Sequence, residues 1–332
     1  MKRRAFIQLL VAASLAPAEA LATIPQFDGG GSKKLVRPAG NDQIAVDEDD
    51  VATDSDHNNA GQQRQGQEPQ RDNATADSGH SNATTSGDTL VNEENIKDYL
   101  SKIRAPNTPH HDDIYASAQD VQTLRQVADR FRRIVARVGD ANFCVMGFDE
   151  TLDFAKTTAK VEPFAKDEID LMVQLFARNA RDYGFYGEKP VTSLSAVINQ
   201  HDIYKVPYSG NFLFRGKSLE KFIRIRKDLG ENLILTSGIR SVVKQFYLFI
   251  NKALRFDGNL SLASRSLAPP GYSYHATGDF DVGQRGFGPG NFTEDFIGTP
   301  IYKRLSKEGY VQYRYGRDNL LGVRFEPWHI KL

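Results

Sequence analysis

The chain of 332 residues has one cysteine, Cys144, and one tryptophan, Trp328. A lone thiol excludes an intramolecular disulfide and, in effect, a cysteine-built metal site. Any metal must then be held by histidine and carboxylate. Net charge is also lacking, with 42 Lys and Arg set against 42 Asp and Glu. That balance gives no polyanion-binding signal, and no nucleic-acid partner is expected. Beyond the N-terminus no run is long and apolar enough to cross a bilayer, so no membrane span is expected in the mature protein.

What is present is unevenly spread. Residues 1–40 hold six bases and two acids, and residues 41–90 hold eleven acids and two bases. The remainder is mildly basic. Met1-Lys2-Arg3-Arg4 is a cationic head, Ala5 to Leu15 is mostly apolar, and Ala20-Leu21-Ala22 offers a small-residue cleavage site. This pattern predicts a signal peptide over residues 1–22 and a periplasmic or extracellular protein. Arg3-Arg4-Ala5-Phe6-Ile7-Gln8 resembles a twin-arginine signal; an ordinary secretory signal with two arginines in its head is the plainer alternative. Residues 23–90 are rich in Asp, Asn, Gln, Ser, Gly and Thr and poor in aromatics. They are expected to form a disordered, acidic and polar linker, because such a composition buries too little apolar surface to offset the entropy of ordering.

Folding signals begin near Asn92. A helix is predicted from Ser117 to Val138, opened by a Ser117/Asp120 capping pattern and closed by Gly139, with Val121, Leu124, Ala128, Phe131, Val135 and Val138 as its apolar stripe. A second is predicted from Lys166 to Tyr183, with Ile169, Met172, Val173, Phe176 and Ala180 inward. A third covers Ser218 to Lys227. Asn232 to Thr236 reads as a buried strand, and a helix follows through Phe249. A last helix is expected over Thr293 to Lys307, then strands over Tyr310–Tyr315 and Val323–Ile330. Helices and strands are segregated, which favours an α+β fold. The expected organisation is a helical part at 91–218 and a core at 219–332.

Of the seven histidines, two stand in Gly- and aromatic-rich sequence with carboxylates close by. One is in Pro270-Gly271-Tyr272-Ser273-Tyr274-His275-Ala276-Thr277-Gly278-Asp279-Phe280-Asp281-Val282-Gly283, the other in Phe325-Glu326-Pro327-Trp328-His329. Two histidines and one aspartate meet the ligand count of a catalytic zinc site. Glu326, three residues before His329, is placed to take a proton from water.

These clusters resemble the D-alanyl-D-alanine zinc carboxypeptidases of the vancomycin-resistance (VanY-like) type. The family pattern of Ser-x-His, a Gly three residues on, a metal-binding Asp and a late Glu-x-Trp-His appears as Ser273-Tyr274-His275, Gly278, an Asp, and Glu326-Pro327-Trp328-His329. The upstream Ser-Gly-x-Arg-Ser with a later Gln appears as Ser237-Gly238-Ile239-Arg240-Ser241 and Gln245. The resemblance runs from about Leu219 to Leu332. One departure stands out. The family's Asp follows the His by seven residues, where this chain has Val282; Asp281 stands at six and Asp279 at four. Asp281 is the better candidate, since Asp281-Val282-Gly283 reproduces the usual surroundings. Asp279 is held in reserve, because both share one strand parity with His275.

The resemblance implies a small antiparallel sheet carrying Zn2+ on His275, Asp281 and His329, with helices flanking it. It assigns Glu326 as the catalytic acid and base, and Arg240 as the donor for a substrate carboxylate, with Ser273 and Gln245 as polar neighbours. It implies peptidoglycan stem peptides ending in D-Ala-D-Ala as substrates. A related endopeptidase shares the metal motif. A cell-wall-binding protein that has lost catalysis is the remaining alternative, suggested by the shifted Asp. Protein partners are not legible.

Overall fold

In the computed structural model, residues 93–332 are described. The signal peptide and the acidic linker expected upstream lie outside the described residues. After α1 (Glu93–Arg104), the Ser117 hydroxyl accepts from Asp120 N at 3.1 Å and opens α2 (Ala118–Val138). The N–H of Gly139 closes it on Val135 O. The buried face of α2 is Leu124, Val127, Ala128, Phe131 and Ile134, with Val121, Val135 and Val138 only half-buried. The stripe is thus turned toward Val127 and Ile134 relative to the expectation. It meets two partners, a helix on each side, and so presents a wider apolar arc than one facing row.

A short α3 (Asp140–Phe143) leads to α4 (Phe148–Thr157) and α5 (Lys166–Ala177). The helix expected through Tyr183 stops early. Asn179 accepts from Arg181 N and caps a separate 3-10 turn, Ala180–Tyr183. Asn competes well for backbone donors at such a cap. Val173, expected inward, is 43% exposed. A hairpin follows, β1 (Ile203–Lys205) on β2 (Phe212–Phe214), then α6 (Lys217–Leu229).

The centre of the molecule is β3 (Leu233–Ser237), α7 (Val242–Arg255) and α8 (Leu260–Ser266). Phe246, Phe249 and Ile250 of α7 share one core with Phe131, Phe143, Met172 and Phe185. Among the described residues, α2, α3, α4 and α5 therefore share their core with α7 and α8 from beyond residue 219. The second core lies under the sheet, where Leu233, Leu235, Phe280, Val282 and Ile330 meet Phe222 and Ile225 of α6.

That sheet is antiparallel in the order β3-β4-β5, with β4 at Phe280–Gln284 and β5 at His329–Ile330. Leu235 pairs with Val282, but the next partners are Ser237 and Asp281, so Thr236 is an extra residue at a bulge. Asp281 in turn pairs with His329. The bulge therefore sets Ser237, Asp281 and His329 in one row across three strands.

The C-terminal third departs from expectation in two ways. The single helix over Thr293–Lys307 is divided: Thr299 caps α9 (Pro300–Lys307), whose first residue lacks the N–H needed to continue the preceding 3-10 turn. Residues 310–328 form no strand, leaving β5 only two residues long. Gly322 explains part of this. Its φ is +83° and a Cβ there would lie 2.0 Å from Gly184 O, so the chain turns against the 3-10 segment instead of extending. Among the described residues no helix is long and apolar enough to cross a membrane. The architecture is α+β.

Candidate metal centre and peptide site

The loop after β3 starts the site. Gly238 O accepts from His275 Nδ1 at 2.8 Å, which turns His275 Nε2 toward Asp281 Oδ2, 3.3 Å away. From β5, His329 presents Nδ1 to Asp281 Oδ1 at 3.2 Å, while its Nε2 contacts Asp279 Oδ2 at 2.8 Å. One ligand atom from each of His275, Asp281 and His329 lies within 4.8 Å of the others. All three side chains are buried. Asp281 Oδ1 is buried without a hydrogen-bond partner. A buried carboxylate with one oxygen left in that state, and an imidazole nitrogen against each of its oxygens, fits a cation held by nitrogen and oxygen donors. That donor set suits zinc.

The two aspartates are separated by register. Asp281 stands opposite His329 in the sheet and belongs to the triad. Asp279 lies just before β4 and is occupied elsewhere: its carboxylate accepts from His329 Nε2, from Arg314 Nε and Nη2, and from Leu332 N.

Charge in the site is tightly coupled. Burial opposes ionisation of Asp281, but His275, His329 and Arg240 outweigh it and hold its carboxyl well below the usual range. Burial works against a charged His329 as well, yet its bond to Asp279 and the adjacent Asp281 charge push it up to about 9. His275 is pushed down by burial and by Arg240. Glu326 Oε2 is 3.8 Å from His329 Nδ1, and burial together with the nearby Asp281 charge pushes its carboxyl up to about 7.

A cavity opens on this group. Its wall includes Arg240, Ser273, His275, Asp281, Glu326 and His329. Arg240 is buried, donating from Nε to Ser237 Oγ at 2.9 Å and from Nη2 to Asp281 Oδ2 at 2.8 Å. Gln245 does not reach the cavity. It is buried on α7, where its Nε2 donates to Ala268 O, the carbonyl of a wall residue. Its bond thus supports the wall from the α7 side. Trp328 lies in the second core, edge-on to Phe292, while still contributing to the wall. His110, His111 and His201 do not line the cavity.

Sequence reading missed Ser237 as the partner of Arg240, and Arg314 and Tyr315 altogether. Tyr315 lies against His329, with ring centroids 5.6 Å apart. The one signal for Arg314 was its place in an aromatic-rich segment, which read as an ordinary strand.

Residues 216–332 match the family model described as VanY, D-alanyl-D-alanine carboxypeptidase. The match covers the segment from α6 to the C-terminal strand. Among solved structures, the chain is similar to a mutant of the vancomycin-resistance D,D-pentapeptidase VanY from a VanB-type cassette in complex with Zn(II). Identity there is 22%, covering 42% of this chain and 84% of that one, with a TM-score of 0.32. It is also similar to VanYB in complex with D-alanine-D-alanine, at 20% identity, 45% and 84% coverage and a TM-score of 0.35. No curated protein matches the chain. All of the residues that form the metal triad, its neighbouring glutamate and the arginine of the wall fall inside the matched segment.

Proposed function

We propose that the chain is an exported zinc peptidase that removes the terminal residue from peptidoglycan stem peptides ending in D-Ala-D-Ala. The observation that carries this reading is the row Ser237–Asp281–His329, closed by His275 and with Glu326 beside it, on the wall of one cavity. His275, Asp281 and His329 would hold zinc, which would supply Lewis acidity toward water and a peptide carbonyl. Glu326 takes the proton from the attacking water at its carboxylate and returns it to the leaving amine. A carboxyl poised near neutrality suits both transfers. Arg240 aligns the free carboxylate of the peptide, since a guanidinium offers a planar two-toothed donor. Ser273 adds a hydroxyl on the same wall. Export rests on the cationic head and apolar run of residues 1–22.

The test is to incubate the purified chain with a muropeptide ending in D-Ala-D-Ala and follow product masses. Loss of one alanine, abolished by chelator and by Glu326→Gln, supports the carboxypeptidase. Cleavage elsewhere in the peptide would make it an endopeptidase. A zinc-free, inactive protein that binds peptidoglycan would replace catalysis by wall binding.

A further inference from the structure

A neutral imidazole has one N–H and one lone pair, and only the lone pair can take a metal. Each histidine of the triad must therefore have its proton parked on the far nitrogen. For His275 the acceptor is a neutral carbonyl, Gly238 O. For His329 it is a charged carboxylate, Asp279 Oδ2. Asp279 is itself fixed from three directions, by Arg314 through Nε and Nη2, by Leu332 N at 3.0 Å and by His329. Arg314 lies 3.5 Å over the ring of Tyr274, whose hydroxyl donates to Glu188 Oε2 at 2.9 Å. Tyr274 is part of the cavity wall.

We propose that Asp279, clamped by Arg314, is a positioning residue that keeps the His329 proton on Nε2 and directs Nδ1 at the metal. The proposal rests on the zinc-peptidase reading for its consequence. The hydrogen-bond chain Arg314–Asp279–His329 stands by itself. A carboxylate behind a ligating imidazole fixes its rotation and raises its basicity, and losing such a partner typically weakens metal binding by about 10–100-fold. The saturation of Asp279 by other donors explains why it supports the site from behind while Asp281 faces the cavity. Arg314 also joins this support to Tyr274, so the ligand and one wall of the cavity share an anchor.

The experiment uses the full chain and four variants: Asp279→Asn, Asp279→Ala, Arg314→Lys and Arg314→Met. Zinc affinity is measured by chelator competition, and the protonation of His329 by nitrogen-15 NMR with zinc bound. In the wild type the spectrum should show Nδ1 ligated and Nε2 carrying its proton. Zinc should bind about 10–100-fold more weakly to Asp279→Ala, with Asp279→Asn between the two. Arg314→Met should lose several-fold, and Arg314→Lys should recover part of that. In muropeptide turnover the loss should fall on kcat more than on KM. A purely structural clamp would lower the unfolding midpoint and leave zinc affinity per folded molecule unchanged. A folded Asp279→Ala that binds zinc within about twofold of wild type overturns the proposal, and so does zinc on Nε2 of His329. Should Asp279→Ala fail to fold, Arg314→Met decides by the same criterion. A wild-type chain that binds no zinc would sink the peptidase reading. The metal-free spectrum, recorded above pH 9, would then still judge the placement: the proton on Nε2 supports it and the proton on Nδ1 overturns it.

Discussion

Arg240 donates to Asp281 Oδ2 at 2.8 Å, so the carboxylate of the His275–Asp281–His329 cluster shares its charge with a guanidinium on the cavity wall. Both side chains are buried, and removing one member of such a pair leaves the other charge poorly compensated. Arg240→Ala should therefore destabilise the metal-free protein by about 3 kcal/mol. With zinc present the loss should shrink, because the cation replaces the missing positive charge beside Asp281. Urea unfolding with chelator and with zinc checks this. An equal loss under both conditions would show that Arg240 and the metal do not share Asp281.

Glu326 sets stability against function. Its carboxyl, pushed up to about 7 by burial and by Asp281, is easier to bury protonated than ionised. An acid whose folded value lies above its unfolded value near 4.5 loses folding stability as pH rises from 4.5 to 7, and the loss is complete above 7. Glu326→Gln removes the charge. The metal-free variant should match wild type at pH 4.5 and exceed it by roughly 2–3 kcal/mol at pH 8. Turnover should fall about 10²–10⁴-fold while zinc still binds. Unfolding at the two pH values, paired with muropeptide turnover, measures both. A glutamine variant less stable at pH 8 would refute the assignment of Glu326 as an acid that is easier to enclose protonated than ionised.

Much of the site was legible because its parts are local. Ser237-Gly238, Arg240, Ser273-Tyr274-His275 and Glu326-Pro327-Trp328-His329 each carry their chemistry within a few residues. The choice between Asp279 and Asp281 was not local. Both share one parity with His275; the surroundings Asp281-Val282-Gly283 favoured one, and the pairing of Asp281 with His329 across β4 and β5 separates them in space. Arg314 acts on Asp279 across 35 residues of chain, and no short pattern links the two. The helices were visible in their caps and stripes. Their breaks at Asn179 and Pro300 depended on one side chain or one missing N–H. That the N-terminal helices share a core with α7 and α8 was hidden, since an apolar stripe does not name its partner.

Zinc binding should be coupled to proton release. The bond to Asp279 and the Asp281 charge overcome burial and push His329 up to about 9 in the metal-free protein, so at pH 7 its Nδ1 still carries a proton. A raised histidine value stabilises the fold below pH 6.5, and that contribution disappears as pH rises through about 9. A metal must displace the proton, whereas His275, pushed down by burial and Arg240, is already neutral. Binding at pH 7 should release about one proton, and affinity should rise about tenfold per pH unit from 6 toward 9. Calorimetric titration in buffers of different ionisation enthalpy counts the proton. An affinity flat across this range would remove His329 from the ligand set.

Gly238 is where backbone packing and metal geometry meet. A Cβ there would lie 2.1 Å from Phe212 O, the carbonyl that accepts from Ile239 N at 2.8 Å. The obstacle is backbone, so Gly238→Ala must push β2 away or rotate the peptide after residue 238. That peptide carries the carbonyl that accepts from His275 Nδ1. The variant should lose about 1–3 kcal/mol of stability from the clash and bind zinc about tenfold more weakly as His275 loses its orientation. Gly298→Ala is the control, since a Cβ at Gly298 meets nothing within 4 Å. Unfolding midpoints and zinc competition on both variants separate the effects. Lower stability with unchanged zinc affinity would show that His275 keeps its orientation without the Gly238 carbonyl.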